Sequence, residues 1–192
     1  RSVPGPSHGT RGWTDAAVEG SLRFLVRVWL FGCKLHAMNV GADFARIDWA
    51  AADLGREAKA LRLEVHTILK QIDYDYQRMQ YNTVVSGNMK LLNALEDFKG
   101  DDSAASAAAL REGFSILLRC LYPATPHLTH ALWTELGYAA ESGELLDAPW
   151  PEVDASALQQ DEIELVLQIN GKLRGSVTVA AGADKAAIEA AA

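Results

Sequence analysis

Ile163-Glu164-Leu165-Val166-Leu167-Gln168-Ile169-Asn170-Gly171-Lys172-Leu173-Arg174-Gly175 is where helical periodicity gives way to strict alternation, and its reading decides the fold class. Asn-Gly between alternating apolar runs signals a β-hairpin, because a tight turn needs positive φ where Asn and Gly tolerate it. If Asn170 and Gly171 alone form the loop, Ile169 faces Lys172 and Leu167 faces Arg174. A shift of one residue puts Ile169 opposite Leu173, Leu165 opposite Val177 and Ile163 opposite Val179, so that one face is apolar. Burial fixes register. The expectation is therefore a three-residue loop or a bulge near the tip, with Arg174 on the solvent face beside Lys172.

Everything ahead of that stretch is patterned as helix. A first helix is expected over 15–36, with Val18, Leu22, Leu25, Val26, Trp29 and Cys33 as its buried stripe. A loop beginning at Asn39-Val40-Gly41 precedes a second helix over 49–72, capped by Asp48, with Leu54, Ala58, Leu61, Val65 and Ile68 inward. The phase slips at Asp73-Tyr74-Asp75, so a third helix is set at 76–98, its stripe Tyr81, Val84, Val85, Leu91, Leu92 and Leu95. Gly87 inside it costs about 1 kcal/mol, which a closely packed neighbour would explain. Ser103 caps a fourth helix over 104–121, carrying Leu110, Phe114, Leu117, Leu118 and Leu121. Thr125 caps a fifth with Pro126 at its first position, and Gly137 closes it. Residues 138–160 read as loop, and Asp184 opens a last helix.

The fold class is thus mainly α: an antiparallel helical bundle, followed by a β-hairpin and helix that look like part of a truncated small α/β domain. The divisions are an irregular leader over 1–12, the bundle over 13–140, a linker over 141–160 and the partial α/β domain over 161–192.

The formal net charge is −7, which at first sight opposes a nucleic-acid partner, but it is unevenly spread. Residues 1–100 balance to +2 and residues 101–192 to −9. RNA would therefore meet basic stripes in the N-terminal half and at the hairpin tip. Hydrophobic residues make up 49% of the chain, enough for a core, and no apolar run has membrane-spanning length. Cys33 and Cys120 lack metal-type spacing and read as two buried, reduced thiols in a cytoplasmic protein.

Four segments together resemble one family. The hairpin string from Gln168 to Gly175 looks like the start of the C-terminal domain of bacterial-type leucyl-tRNA synthetases. Trp13-Thr14-Asp15, Val18-Glu19-Gly20, Arg23-Phe24-Leu25 and Trp29 resemble the first helix of that family's anticodon-binding domain. Tyr81-Asn82-Thr83-Val84-Val85 with Met89, Leu92 and Asn93 is similar to its middle helix. Pro123-Ala124-Thr125-Pro126-His127, Leu132-Trp133, Leu136-Gly137 and Pro149-Trp150-Pro151 are similar to its last helix and exit loop. The resemblance implies an enzyme joining leucine to its tRNA in the cytoplasm. ATP and magnesium would act in a catalytic domain outside this chain, and this segment itself would need no cofactor. The implied partners are leucine tRNA, held mainly through its backbone, and the enzyme's own catalytic domain, with no membrane and no DNA.

The residues agree with a holding rather than a catalytic role. Neither His-x-Gly-His nor Lys-Met-Ser-Lys-Ser occurs, and there is no Gly-rich phosphate loop or marked nucleophile, so no catalytic residue is assigned. His127 and His130 share a helix face without further ligands, so no metal is assigned. The candidate tRNA contacts are Lys172 and Arg174 at the hairpin tip, Arg23, Arg27 and Lys34 on the first helix, Arg56 and Lys59 on the second, and Arg78 beyond them. Arg62 continues the Arg56/Lys59 run, and an ion pair from Glu19 to Arg23 is the ordinary alternative to RNA on the first helix. Asn82 is expected to bond a neighbouring helix, and Trp133 and Trp150 to serve as anchors. The rival readings are a valyl, isoleucyl or methionyl synthetase, a helical interaction scaffold without RNA, and a small hydrolase.

Overall fold

The structure, a computed structural model, describes residues 15–38, 49, 54–101, 103–159, 162–169 and 172–180, with 15–17 and the last two segments described by their backbone. The elements run α1 (Asp15–Ala37), α2 (Gly55–Gln77), α3 (Tyr81–Glu96), α4 (Ala104–Leu121), α5 (Pro126–Glu135), α6 (Ala139–Ser142), β1 (Glu162–Ile169) and β2 (Lys172–Ala180). The loop at Asn39, the Asp48 cap, the leader and the helix at Asp184 lie outside the described residues.

The bundle is built around α4. From Ser106 to Leu121 every residue is buried except the half-exposed Glu112 and Arg119, so this helix has almost no solvent face. Its start is well specified. Ser103, in extended conformation, accepts a hydrogen bond from the Ser106 N–H at 3.2 Å, and Asp101 accepts from the Ser106 hydroxyl at 2.7 Å. Both bonds satisfy groups that a helix N-terminus would otherwise leave orphaned. Helices α2 and α3 pack on each other and on α4, α5 packs on α4, and α1 packs on α3 and α5. The α2–α3 pair is antiparallel and close: a Cβ at Gly87 would lie 2.5 Å from Ile72 Cγ1. That contact is the reason glycine stands mid-helix.

Several expectations need correcting. Helix α2 begins at Gly55 and runs through Asp73-Tyr74-Asp75 to Gln77, and the break falls at Arg78–Gln80, where Met79 adopts φ 57°. Asp75 does not end the helix, because its carboxylate accepts from Gln71 Nε2 at 2.9 Å while its carbonyl accepts from the Gln80 N–H. Thr125 makes no side-chain cap, although Pro126 does sit at the start of α5 and Gly137, at φ 77°, does close it. The short α6 interrupts the expected loop. Cys120 is buried but Cys33 is exposed.

The largest difference is on α1. Its inward residues are Phe24, Val28, Phe31 and Leu35, whereas Val18, Leu22, Val26, Trp29 and Cys33 are exposed. At 100° per residue the two sets are centred roughly 150° apart. The helix therefore carries two apolar faces, and the periodicity of either one satisfies the pattern.

β1 and β2 pair antiparallel, with Ile163 opposite Val179 and Leu165 opposite Val177, as the apolar register requires. The register slips between Leu167, opposite Gly175, and Gln168, opposite Leu173, which leaves Arg174 as the extra residue of a bulge. Ile169 accordingly faces Lys172, and not Leu173 as expected.

Gly87→Ala tests the α2–α3 approach. In an open helix the change stabilises by about 1 kcal/mol. Here the new methyl meets the buried Ile72, so a net loss of about 1–2 kcal/mol is expected from overpacking, read by urea denaturation. A gain in stability would contradict the close packing.

Candidate nucleic-acid interface

The expected RNA contacts fall into three physical situations. Arg23 on α1 and Arg56 at the start of α2 are exposed, and neither makes a hydrogen bond or ion pair to a described residue. The Glu19–Arg23 pair does not form. Lys59, also exposed, lies one turn beyond Arg56. Arg23 and Arg56 are therefore open to a phosphate contact.

The second group is engaged inside the protein. Arg27 forms an ion pair with Glu96 and donates to Asn93 Oδ1 at 2.7 Å, tying α1 to the last turn of α3. The Glu96 hydrogen bond raises its pKa, so it is permanently charged. Arg78 lies 5.1 Å over the Tyr74 ring and donates to the Tyr74 hydroxyl at 2.8 Å. Lys34 lies 5.8 Å from the Phe31 ring. Arg62 is not a surface cation at all: it is 2% exposed. Its guanidinium donates to Glu112 at 2.6 and 2.9 Å and to Asp154 at 2.6 Å, and stacks 4.1 Å over Trp49. Sequence spacing puts it on the Arg56/Lys59 face, but its partners are remote in the chain.

The third group is Lys172 and Arg174. Lys172 opens β2, and Arg174 occupies the bulge. Their side chains lie outside the described residues.

The cations do not converge on one patch. Arg56 and Arg78 sit at opposite ends of α2, about 33 Å apart along its axis. Arg27 meets the far end of α3 from Arg78. Between α2 and α3 lies a groove of about 480 Å³ whose lining includes Thr67, Gln71, Thr83, Ser86 and Lys90. Asp75 also lines it, and the groove's hydroxyls and amide are engaged inside the protein: Thr67 donates to the Leu63 carbonyl, Thr83 to that of Gln80, Ser86 to that of Thr83 and Gln71 to the Asp75 carboxylate, which leaves Lys90 as its exposed cation. Sequence reasoning missed this groove, because its residues are polar positions on two helices that only tertiary packing brings together.

Asn82 is exposed and makes no hydrogen bond with a described residue; Asn88, one and a half turns later, is the buried amide and donates to the Val84 carbonyl at 3.0 Å. Trp133 is fully buried and donates to the Gly143 carbonyl at 2.9 Å, while Trp150 stacks 4.6 Å from the Tyr76 ring. Both are anchors. His130 lies 3.3 Å from Glu144, and His127 is exposed. Among the described residues, no three His, Cys, Asp or Glu side chains gather as a metal site would need. Burial pushes the Cys120 thiol up to about 12, which makes it inert.

The segment after α6 is fastened to the bundle through charge. Asp154 accepts from Arg62 and from the Ser156 N–H at 2.8 Å, and its own N–H donates to His66 Nδ1 at 3.1 Å. His66 Nε2 in turn lies 3.2 Å from Glu112. Partial burial raises the Asp154 carboxyl, but the bonds from Arg62 and Ser156 outweigh it and hold the group at about 2, against an ordinary 3.8. Because the folded value is depressed, its stabilisation is complete above the unfolded value and disappears as pH falls to about 2. Asp154→Asn should therefore cost about 2 kcal/mol at neutral pH and nearly nothing below pH ~2. Urea denaturation across that range reads it; a cost independent of pH would contradict the network.

A family model described as the anticodon-binding domain of tRNA ligase matches residues 58–189. The chain is 78% identical over 187 residues to the leucine–tRNA ligase of Polaromonas naphthalenivorans (strain CJ2), a match covering 97% of this chain and 21% of that protein. It is 72% identical to that of Polaromonas sp. (strain JS666 / ATCC BAA-500), with the same coverage. The chain thus spans 21% of the length of these relatives. Its fold is similar to the LeuRS of Agrobacterium radiobacter K84, solved in a ternary complex with tRNA and LeuAMS. The TM-score is 0.70 at 21% identity, over 94% of this chain and 22% of that one. With the family model matched over more than half its length, the chain belongs to the anticodon-binding domain family of tRNA ligases.

Proposed function

We propose that this chain is the tRNA-holding segment of a leucine–tRNA ligase, the enzyme that joins leucine to its tRNA with ATP in the cytoplasm. The observation that carries the reading is its 78% identity across 187 residues to a leucine–tRNA ligase. The fold likeness to a LeuRS solved with tRNA supports the same reading. Sister synthetases for valine, isoleucine or methionine are disfavoured by that identity. Activation of leucine, with ATP and magnesium, belongs to the catalytic domain of the same polypeptide, which is also this segment's partner. No described helix is long and apolar enough to cross a membrane.

In this reading residues 13–140 form the holding bundle, 141–160 a strap fastened through Asp154, and 161–192 the start of a C-terminal α/β unit. The segment's work is electrostatic and positional. Arg23, Arg56 and Lys59 meet backbone phosphates from the bundle, and Lys172 and Arg174 do so from the hairpin. Lys34 and Arg78, held against aromatic rings, offer the outer edge of their charge, and Arg27 supports α1 while contributing to the local potential. An acidic chain with dispersed cations grips weakly at any one point, so the contacts position the tRNA and carry little sequence information.

The test uses the intact ligase and labelled leucine tRNA. Arg23→Glu/Arg56→Glu should weaken binding about tenfold at low salt and flatten the salt dependence by roughly two phosphate contacts, with kcat for leucine activation unchanged. Lys172→Glu/Arg174→Glu should do the same through the hairpin. Unchanged affinity and salt slope in both variants would refute the interface, and failure to charge tRNA with leucine would refute the reading itself.

A further inference from the structure

Between the α2–α3 turn and the end of α4 lies an apolar cavity of about 340 Å³, lined by Tyr76 and Tyr81 and by the buried Val84, Asn88, Cys120 and Leu121. Asn88 is fully enclosed by the fold. Its Nδ2 donates to the Val84 carbonyl at 3.0 Å, which fixes the orientation of the amide and leaves Oδ1 with no hydrogen-bond partner among the described residues. A buried acceptor left unpaired gives up its hydration without return, and an apolar side chain would avoid that loss. Toward solvent the site is aromatic. Tyr81, 57% exposed, packs edge-on against Tyr76 at 5.8 Å, and Tyr76 stacks on Trp150 at 4.6 Å, so a row of three rings ends in water. The turn leading into Tyr81 carries the exposed Arg78, and Met79, whose φ of 57° is strained for a residue other than glycine. Strained backbone and unpaired buried polar groups both concentrate at functional sites.

We infer that this cavity receives one unpaired nucleobase of the bound tRNA, stacked against Tyr81 and donating from its amine to Asn88 Oδ1, with Arg78 at the nucleotide's phosphate. The inference rests on the proposed function and adds to it a point where base chemistry, and not charge alone, is read. The chemistry of the site chooses the occupant. An apolar group would leave Oδ1 unpaired, and a carboxylate or phosphate, which can only accept, would be repelled by it. A planar ring with an N–H donor on its edge satisfies the amide and the aromatic row together. Splayed-out bases stacked on aromatic side chains and hydrogen-bonded at their edges are the usual route to sequence-specific RNA recognition. Adenine, cytosine and guanine each carry an exocyclic amine and uracil carries none, so uracil is the base this site disfavours.

The experiment uses the intact ligase and leucine tRNA. Tyr81 is exposed, so Tyr81→Ala leaves the fold intact. It should weaken tRNA binding about tenfold through lost stacking, with the salt slope unchanged because no cation is removed, and Tyr81→Phe should keep the wild-type affinity. Footprinting with dimethyl sulfate and kethoxal supplies an independent measurement. Wild-type enzyme should protect one unpaired adenosine, cytidine or guanosine, and Asn88→Leu should return that nucleotide to full reactivity while its urea midpoint is no lower than that of the wild type. Unchanged affinity in Tyr81→Ala, or a footprint with no nucleotide that depends on Asn88, would overturn the inference; the latter is the result expected if the cavity is filled by water or by another part of the enzyme. Leucine charging by the same wild-type preparation distinguishes a failed base pocket from a failed assignment of the enzyme.

Discussion

Helix α4 has almost no side open to water, yet it carries Arg111 and Glu112 side by side, and the rest of the fold is arranged around satisfying them. An isolated charge in such a site costs several kcal/mol. Arg111 is answered in part from α5 and beyond: its Nη2 donates to the Leu136 carbonyl at 2.6 Å and the guanidinium lies 4.8 Å from the Tyr138 ring, while its buried Nε has no hydrogen-bond partner among the described residues. The Tyr138 hydroxyl returns a bond to the Arg111 carbonyl at 2.9 Å, and burial drives that phenol above its ordinary range. Glu112 is answered from α2. Burial raises its pKa, but the bonds from His66 and Arg62 prevail and keep it ionised. These pairings fix where the turn after α5 must lie. Through Arg62 and Asp154 they also fix where the strap after α6 must lie.

This use of charge explains how a chain of net charge −7 can offer a nucleic acid anything at all. Arg62, Arg111 and Arg119 serve the interior, the last donating to the Pro149 carbonyl at 3.3 Å. Arg27 serves the α1–α3 junction. Arg23 and Arg56 are exposed and far from each other in sequence, and each stands on a helix that also carries an arginine paired to another element, Arg27 on α1 and Arg62 on α2. Arg23 is the clearest case, one turn before Arg27 on the same helix. Positioned charges of this kind suit a surface that orients a large polyanion without gripping it tightly.

Where local chemistry alone decides, the sequence was legible. The limits of α4 follow from Ser103, which caps it, and Pro123, which ends it; the start of α5 follows from Pro126. The apolar register of Ile163 and Leu165 predicted their partners and the need for an extra residue near the tip; pairing Ile169 with Leu173 would have put it at Lys172, and it is Arg174, two residues beyond. Arg62 was not legible, because its carboxylate partners lie 50 and 92 residues away and nothing local distinguishes a clamped arginine from a solvated one. The α2–α3 break was misplaced for a related reason. Two aspartates look like helix-ending polarity, but Asp75 finds its partner one turn back, and the break falls where Met79 takes a left-handed conformation without a glycine to announce it.

The remaining misreadings share a direction. On α1 the outer stripe, and on α3 Tyr81 and Asn82, were expected to be inward and are exposed. A random error in phase would expose polar residues and bury charged ones. Here the inward faces are well formed, with Phe24, Val28, Phe31 and Leu35 on α1 and Val84, Leu91, Leu92 and Leu95 on α3. The surplus is apolar or amide-bearing surface beyond what the bundle needs for its own core. Disagreement between local pattern and isolated fold concentrates where function imposes a second demand. The periodicity of α1 was therefore assigned to the wrong side: either stripe fits the pattern, and the one that packs is Phe24, Val28, Phe31 and Leu35.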